Sequence, residues 1–325
     1  MHYFVTGATG FIGGHVVSQL LADGHRVTAL VRTIEQARDI AGYGVEPHLG
    51  DIGDKESMRR GMRGVDGVFH LAAFCKVGTR HRHLAETVNV GGTRNVLELM
   101  RDLGVAKGVY TSTLAVNGDT GGRLLDESYS GEVRPMSVYD RTKWQGLHQV
   151  ALPLIEAGLP LVVVMPGLVY GPGSSGDPGH VFRRYLRGRL PAIPDGVRVC
   201  WAHVADVARG HLLAMERGRP GERYMICGEA ATMREALAAV GRMCGRRPPA
   251  VIPAWVVRSL SAAVGGGSRV LPLLRAPAEI LAIAGGVSYL GDDSKARREI
   301  GFDPRPLEEG LQDLVVALLE GRLKA

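Results

Sequence analysis

The chain has 325 residues, 45% hydrophobic and 22% charged, and its 39 lysines and arginines against 33 carboxylates leave a formal charge of +6. That is enough apolar chain for a large core and more than one compact lobe. The basic excess is modest and spread out, which excludes a nucleic-acid binder but leaves room for a basic cleft that attracts a phosphorylated ligand. The densest basic runs, RHRH at 80–83 and the arginines of 183–189, are both short. Cys75, Cys200, Cys227 and Cys244 form no C-x-x-C and stand at no metal-ligand spacing with histidines. They read as free thiols in a reducing compartment, with no metal site. The chain starts at once on a strand-like HYFVTG, without the basic and apolar regions of a signal peptide. The most apolar stretch, 270–287, is cut by Arg275, Pro277 and Glu279 and reads as helix or lid, not as a membrane span. A cytoplasmic protein is expected.

Taken in chain order, short β-branched runs alternate with longer helical patterns. A strand at 2–7 leads into a helix at 11–24 closed by Gly24, then a strand at 26–32, a helix near 34–41, a strand at 45–51 and a helix near 54–63. Next come a buried strand at 67–73, a helix at 89–104, a strand at 108–113 and a long helix at 139–158 that Pro153 could bend. The run LPLVVVMPG at 159–167 is nearly continuous in apolar residues, as strands buried on both faces are. Such alternation predicts an α/β fold with a Rossmann-type, doubly wound parallel sheet over residues 1–167. From 168 the style changes to a Gly/Pro-rich loop at 171–180, followed by Arg- and Pro-rich segments with short helices. Residues 168–325 therefore read as a smaller substrate lobe. It is interleaved with the first, because the strand–helix pattern at 200–216 returns to the sheet domain.

The chemistry-bearing motifs fall at strand ends. TGATGFIGG at 6–14 places glycines 7, 10 and 13 between the first strand and the first helix. Strand, turn and helix in that order let the backbone at Gly7, Thr9, Gly10, Phe11, Ile12 and Gly13 approach a pyrophosphate on the helix N-terminus. The second strand ends in Arg32, where an arginine suits a 2′-phosphate and favours NADP(H) over NAD(H); a solvated arginine is the rival reading. Asp51 and Ile52 end the third strand, where the aspartate can accept from an adenine amino group. Leu71, Ala72 and Ala73 end the fourth, small enough for a cofactor to lie close. In YDRTK, Tyr139 and Lys143 share one face of a helix. A phenol beside a cation is either a surface pair or an acid/base whose pKa the charge lowers.

In their order, TGATGFIGG, GD at 50–51, HLAA at 70–73, the N-V-x-G-T-x-N-V-L-E run at 89–98, YTST at 110–113, YDRTK and PGLVYGPG at 166–173 resemble the extended short-chain dehydrogenase/reductases along nearly the whole chain. Within them the pattern is most like the branch of dihydroflavonol reductases and 3β-hydroxysteroid dehydrogenases. The resemblance implies that Tyr139 is the catalytic acid/base. Lys143 would lower its pKa and hold the nicotinamide ribose, and Thr113 would polarise the substrate oxygen. It also implies that Pro166 and Val169 pass over the carboxamide. The chain departs from many nucleotide-sugar epimerases in carrying Leu168 where they have an asparagine that contacts a substrate phosphate. An NADP(H)-preferring oxidoreductase for a moderately sized, partly apolar small molecule follows, with a homodimer possible. The alternatives are an NAD-dependent sugar epimerase or dehydratase with tightly bound cofactor, and a non-catalytic dinucleotide sensor. His81 and His83 read as solvated, Asn89 as a local backbone anchor, and Cys75 as a small hydrophobe near the pocket. His180, Arg183 and Arg184 read as a solvated basic face or a contact for an anionic substrate group.

Overall fold

The structure is a computed structural model that describes residues 1–78, 81–174, 177–268 and 274–320. Part of the apolar stretch 270–287, Arg80 of the RHRH run and the middle of the 171–180 loop lie outside the described residues. Among the described residues no helix is long and apolar enough to cross a membrane.

The first half lays down β1 (His2–Thr6), α1 (Phe11–Ala22), β2 (Arg26–Val31), α2 (Ile34–Ala41), β3 (Glu46–Leu49), α3 (Lys55–Met62) and β4 (Gly67–His70). There follow α4 (Arg82–Glu86), a π-helical turn over Thr87–Gly92, α5 (Thr93–Leu103) and β5 (Gly108–Thr111). Then come α6 (Val138–Gln145), a second π-turn over Gly146–Ala151, α7 (Leu152–Glu156) and β6 (Leu161–Pro166). Local chemistry marks the helix starts. The Thr33 hydroxyl accepts from Gln36 N to open α2, and the Asp54 carboxylate accepts from the amides of Glu56 and Ser57 to open α3.

The second half contributes β7 (Leu168–Tyr170), α8 (Asp177–Leu186), β8 (Ala192–Pro194), β9 (Arg198–His203), α9 (Val204–Arg217), β10 (Arg223–Ile226) and β11 (Ala230–Thr232). It ends with α10 (Met233–Cys244), β12 (Ala250–Ile252), α11 (Ala254–Ser268), α12 (Arg275–Ala284), β13 (Ser288–Tyr289), α13 (Ser294–Ile300) and α14 (Leu307–Leu319).

Seven strands form one sheet in the order β10-β6-β5-β4-β1-β2-β3, every pairing parallel. β4, β5 and β6 are buried along their whole length, as their unbroken apolar runs require. One core cluster joins the sheet to α3 and α5 through Met58, Met62, Leu97 and Met100. Another joins it to α1 and α9 through Val16, Leu20, Leu212 and Leu213. Strand order reverses at β1, with Thr6 opposite Leu30 on one side and His70 on the other. An open α/β sheet binds its ligands in the crevice beyond such a reversal. The sequence pattern at 200–216 is β9 and α9: α9 packs on α1, while β9 belongs to a smaller sheet with β7, β11 and β13. A third core cluster, around Trp201, Phe182 and Tyr185, fills that lobe.

Two expected helices differ from the reading of the sequence. The helical path predicted from 89 begins at 82, and the single helix predicted over 139–158 is α6 and α7 joined by a π-turn. The distortion lies at Gly146–Ala151, before Pro153, which occupies the first turn of α7 where its missing N–H costs nothing.

Candidate active site

Gly7 ends β1 with φ +75°, and a Cβ there would come within 2.6 Å of Ala72 N. Only glycine allows both the left-handed backbone and that approach. At Gly13 a Cβ would run into the Gly7 carbonyl. The turn is therefore pressed flat against the end of β4, and the Thr6 hydroxyl bolts it there by accepting from Ala72 N at 3.3 Å. Gly10 caps α1 without a side-chain hydrogen bond, and no acidic residue stands in its first turn. The amides at that helix start are left for an anion, which is the fit a pyrophosphate requires. Thr9 and Gly10 are exposed beside half-buried Phe11 and Ile12.

At the neighbouring strand ends, Arg32 is exposed after β2. Asp51 is exposed after β3 and already holds Gly53 N at 2.7 Å through one carboxylate oxygen, leaving the other free to accept. Ile52 is turned inward, filling the space that a Cβ on Gly92 would need. Leu71 and Ala72 are half-buried and Ala73 is exposed, along the edge that the glycine turn approaches.

Thr113 follows β5 in extended conformation and opens a short 3-10 turn by accepting from Ala115 N at 3.3 Å. Ser137 caps α6, which sets Tyr139 in its first turn and Lys143 one turn later. The Thr113 and Cys75 side chains both act on the Tyr139 phenol, which puts them beside it. Sequence reasoning took Cys75 for a small hydrophobe near the pocket. Its position two residues past the HLAA run is the signal that places it beside the phenol.

Burial is the main influence on the Tyr139 phenol and holds its pKa well above 10. Lys143 itself is buried, which pulls its ammonium down to about 8. Its Nζ donates to the Thr111 carbonyl at 2.7 Å and to the Tyr110 hydroxyl at 3.5 Å, and lies 4.9 Å from the centre of the Tyr110 ring. Tyr110 stacks on His70 at 5.5 Å. His70 in turn pairs with Thr6 Oγ1 at 2.7 Å and Thr93 Oγ1 at 3.1 Å, and burial lowers it to about 3, so the ring is neutral. Because Thr93 Oγ1 donates to Asn89 O at 2.8 Å, it accepts from His70 Nε2–H, and Nδ1 accepts from Thr6. One buried polar chain thus runs from the glycine turn to Lys143.

Asn89, read as a backbone anchor, has that geometry. Its amide grips Phe74 N at 2.7 Å and Phe74 O at 3.0 Å, and donates to Thr142 Oγ1 at 2.9 Å. It fastens the loop that carries Cys75 to the helix that carries Tyr139. Pro166 is buried at the end of β6, and Val169 is half-buried in β7. Leu168 packs against the third core cluster, its strand paired with β9 opposite Trp201. Arg183 is occupied by the carbonyls of Gly179 at 3.2 Å and Ser174 at 3.1 Å, whereas His180 and Arg184 are exposed. His81 and His83 are exposed as well.

The sheet order and the glycine turn at its reversal define a Rossmann-type enzyme of the extended short-chain dehydrogenase/reductases, an NAD(P)-dependent oxidoreductase. The chain belongs to the NAD dependent epimerase/dehydratase family, whose model matches residues 3–227. It is 32% identical over 326 residues to a putative dihydroflavonol 4-reductase of Synechocystis sp., covering 96% of this chain and 93% of that protein. It is 35% identical to the 4-hydroxy-2-methyl-3-oxo-4-farnesyl-3,4-dihydroquinoline-1-oxide ketoreductase of Stigmatella aurantiaca, covering 97% and 96%. Among solved structures, gox2253 superposes with a TM-score of 0.88 at 29% identity over 99% of both chains. The UDP-glucose 4-epimerase of Thermus thermophilus, complexed with NAD, superposes with a TM-score of 0.77 at 28% identity over 98% of this chain and 99% of that one.

Proposed function

We propose that the chain is an NADP(H)-preferring carbonyl reductase in which Tyr139 gives the proton and Thr113 holds the substrate oxygen. The observation that carries this reading is the placing of Thr113, at the end of β5, beside the Tyr139 phenol, one helical turn from buried Lys143. The expected bounds shift in this reading: residues 1–167 form the cofactor domain together with α9 and β10, whereas β9 stays in the smaller sheet, so the rest of 168–325 is the substrate lobe. The nicotinamide, when bound, supplies the hydride to the carbonyl carbon. Tyr139 then releases its proton to the oxygen, so C=O and one hydride and one proton become CH–OH. A phenol held well above 10 keeps its proton at neutral pH, which suits the reducing direction. Thr113 donates to the same oxygen as charge develops on it. Lys143 holds the end of β5 in place through the Thr111 carbonyl, one helical turn from Tyr139.

The support for the glycine turn as a pyrophosphate cradle is the uncapped start of α1. Arg32, exposed at the end of β2, supports a 2′-phosphate. A partly apolar substrate is supported by Leu168 and Val169 and by the named substrates of the reductase relatives. The test is Tyr139→Phe assayed on a panel of ketones with NADPH. Turnover should fall by about a hundredfold or more, the scale of a lost general acid, while cofactor affinity stays within about twofold. Full turnover with cofactor bound would sink the assignment.

A second reading is favoured by the 33% identity, over 283 residues, to the UDP-glucose 4-epimerase of Streptomyces lividans, covering 77% of this chain. In that reading NAD stays bound through purification and no net oxidation or reduction occurs. Absorbance of the purified protein near 340 nm after a reductant decides between the two.

A further inference from the structure

Asp140, the residue after Tyr139, is only 2% exposed. Its amide donates to Ser137 Oγ at 3.1 Å, and its Oδ2 accepts from Met136 N at 3.1 Å. Those bonds close the first turn of α6. The same Oδ2 accepts from the Tyr289 hydroxyl at 3.0 Å, from a residue 149 positions away. The Met136 amide already ties the carboxylate to its own turn, so the Tyr289 hydroxyl adds a long-range tie that the cap does not need.

Tyr289 belongs to the other lobe. It sits in β13 opposite Val199 of β9, and its ring packs against the third core cluster. The strand is itself fixed to the cofactor half. Ser288 N donates to Asp119 Oδ1 at 2.9 Å, Thr120 N to Ser288 O at 2.9 Å, and Asp292 N to Leu125 O at 2.8 Å. Just before it in the chain, α12 sends Glu279 to Gly78 N at 3.2 Å, on the loop that carries Cys75. The segment from α12 to β13 is thus joined both to the loop that carries Cys75 and to the first turn of α6.

We infer that Asp140 is a positioning residue for Tyr139, and that Tyr289 is the group by which the substrate lobe sets the pitch of the catalytic helix. The inference rests on the reading of Tyr139 as the proton donor. A carboxylate fixed on both sides determines where the Tyr139 ring emerges. Without the Tyr289 hydroxyl the turn keeps its caps but loses its tie to the lobe. Small displacements of a proton donor cost rate and not binding.

The experiment compares Tyr289→Phe, Asp140→Asn and the double variant in the full-length protein, with NADPH and the best ketone of the panel. The expected result is a roughly tenfold lower kcat for each, with KM for the ketone and Kd for NADPH within about twofold and thermal midpoints within a few degrees. Since the two groups form one bond, the double variant should be no slower than the slower single. Amide exchange at 139–142 should quicken in Tyr289→Phe while exchange in α5 is unchanged. Full kcat in Tyr289→Phe, additive losses, or a loss confined to cofactor affinity overturns the inference. If Asp140→Asn does not fold, Tyr289→Phe decides alone. If the native protein turns over no carbonyl, the proposed reaction fails and unchanged amide exchange in Tyr289→Phe rejects the pair separately.

Discussion

Lys143 is 3% exposed and rests its ammonium on a neutral carbonyl, Thr111 O, with the Tyr110 ring alongside. Burial lowers its pKa from 10.5 to about 8, so the fold disfavours the charged form. In the unfolded chain the amine still binds its proton up to 10.5. Between about pH 8 and 10.5 the unfolded state therefore carries the extra proton, and this group's contribution to stability rises with pH across that window. Urea unfolding of the wild type and Lys143→Met at pH 7 and pH 9.5 checks the sign. The wild type should gain on the variant as pH rises; a constant difference would mean that Lys143 titrates normally in the fold. Arg32 makes an independent prediction at the same scale. A charge-assisted contact to a 2′-phosphate is worth roughly 1.5–3 kcal/mol. Fluorescence titration should show NADPH bound at least tenfold more tightly than NADH, and Arg32→Asp should lose or reverse that preference. Equal affinities in the wild type leave Arg32 a solvated side chain. Thr113, Tyr139 and Lys143 were singled out in the sequence by the resemblance of YTST and YDRTK to the family's motifs, and the structure puts Thr113 beside the Tyr139 phenol. The state of the phenol was not legible there. It depends on burial and on Cys75, and neither is written in the spacing of YDRTK.

The elements around the site were legible wherever period and cap agreed. The glycine turn, the buried run of β6 and the order of strands and helices follow from local chemistry. The two π-turns do not, and their cause is a crossing. A Cβ on Gly146 would lie 2.6 Å from Asn89 O and 2.9 Å from the Tyr110 hydroxyl. The helical path after α6 thus touches the backbone of the path before α5, and both π-turns, Thr87–Gly92 and Gly146–Ala151, lie at that contact. An inserted residue in each helix is how two backbones come this close while Asn89, Thr93 and Tyr110 keep their hydrogen bonds. Such a meeting of residues 57 positions apart has no signature in a local window. It does have a consequence. Gly146→Ala puts a methyl where backbone already stands, and should cost about 1–3 kcal/mol in urea unfolding, as overpacking of a tight core does. It should also slow turnover, because the same contact holds Asn89 and the Cys75 loop. An alanine variant as stable as the wild type would show that the crossing relaxes freely.

At the scale of the whole molecule, the two lobes meet along a seam of long-range ties. Arg305 grips Asp206 at 2.9 Å and Asp313 at 2.7 Å, binding the start of α9 to α14. The second lobe was the less legible half because its strands are short, two to six residues, and its helices are read only through what they pack on. The departure from the nucleotide-sugar epimerases falls in β7. Leu168 lies there, half-buried, and its side chain joins the core cluster of Trp201 instead of offering an amide to a phosphate. An apolar group cannot repay the desolvation of a diphosphate brought against it. Arg183, a half-buried cation of α8, is already held by two backbone carbonyls. UDP-glucose and dTDP-glucose should therefore show no heat of binding to the NADP-loaded protein at concentrations up to about 1 mM, which corresponds to an affinity weaker than about −4 kcal/mol. Leu168→Asn supplies the missing amide and should raise affinity for UDP-glucose measurably, if the rest of the lobe can seat a sugar nucleotide. Micromolar binding to the wild-type chain would count against the reductase reading and for the epimerase one, since a site that accepts the diphosphate despite Leu168 must hold it through groups of the substrate lobe.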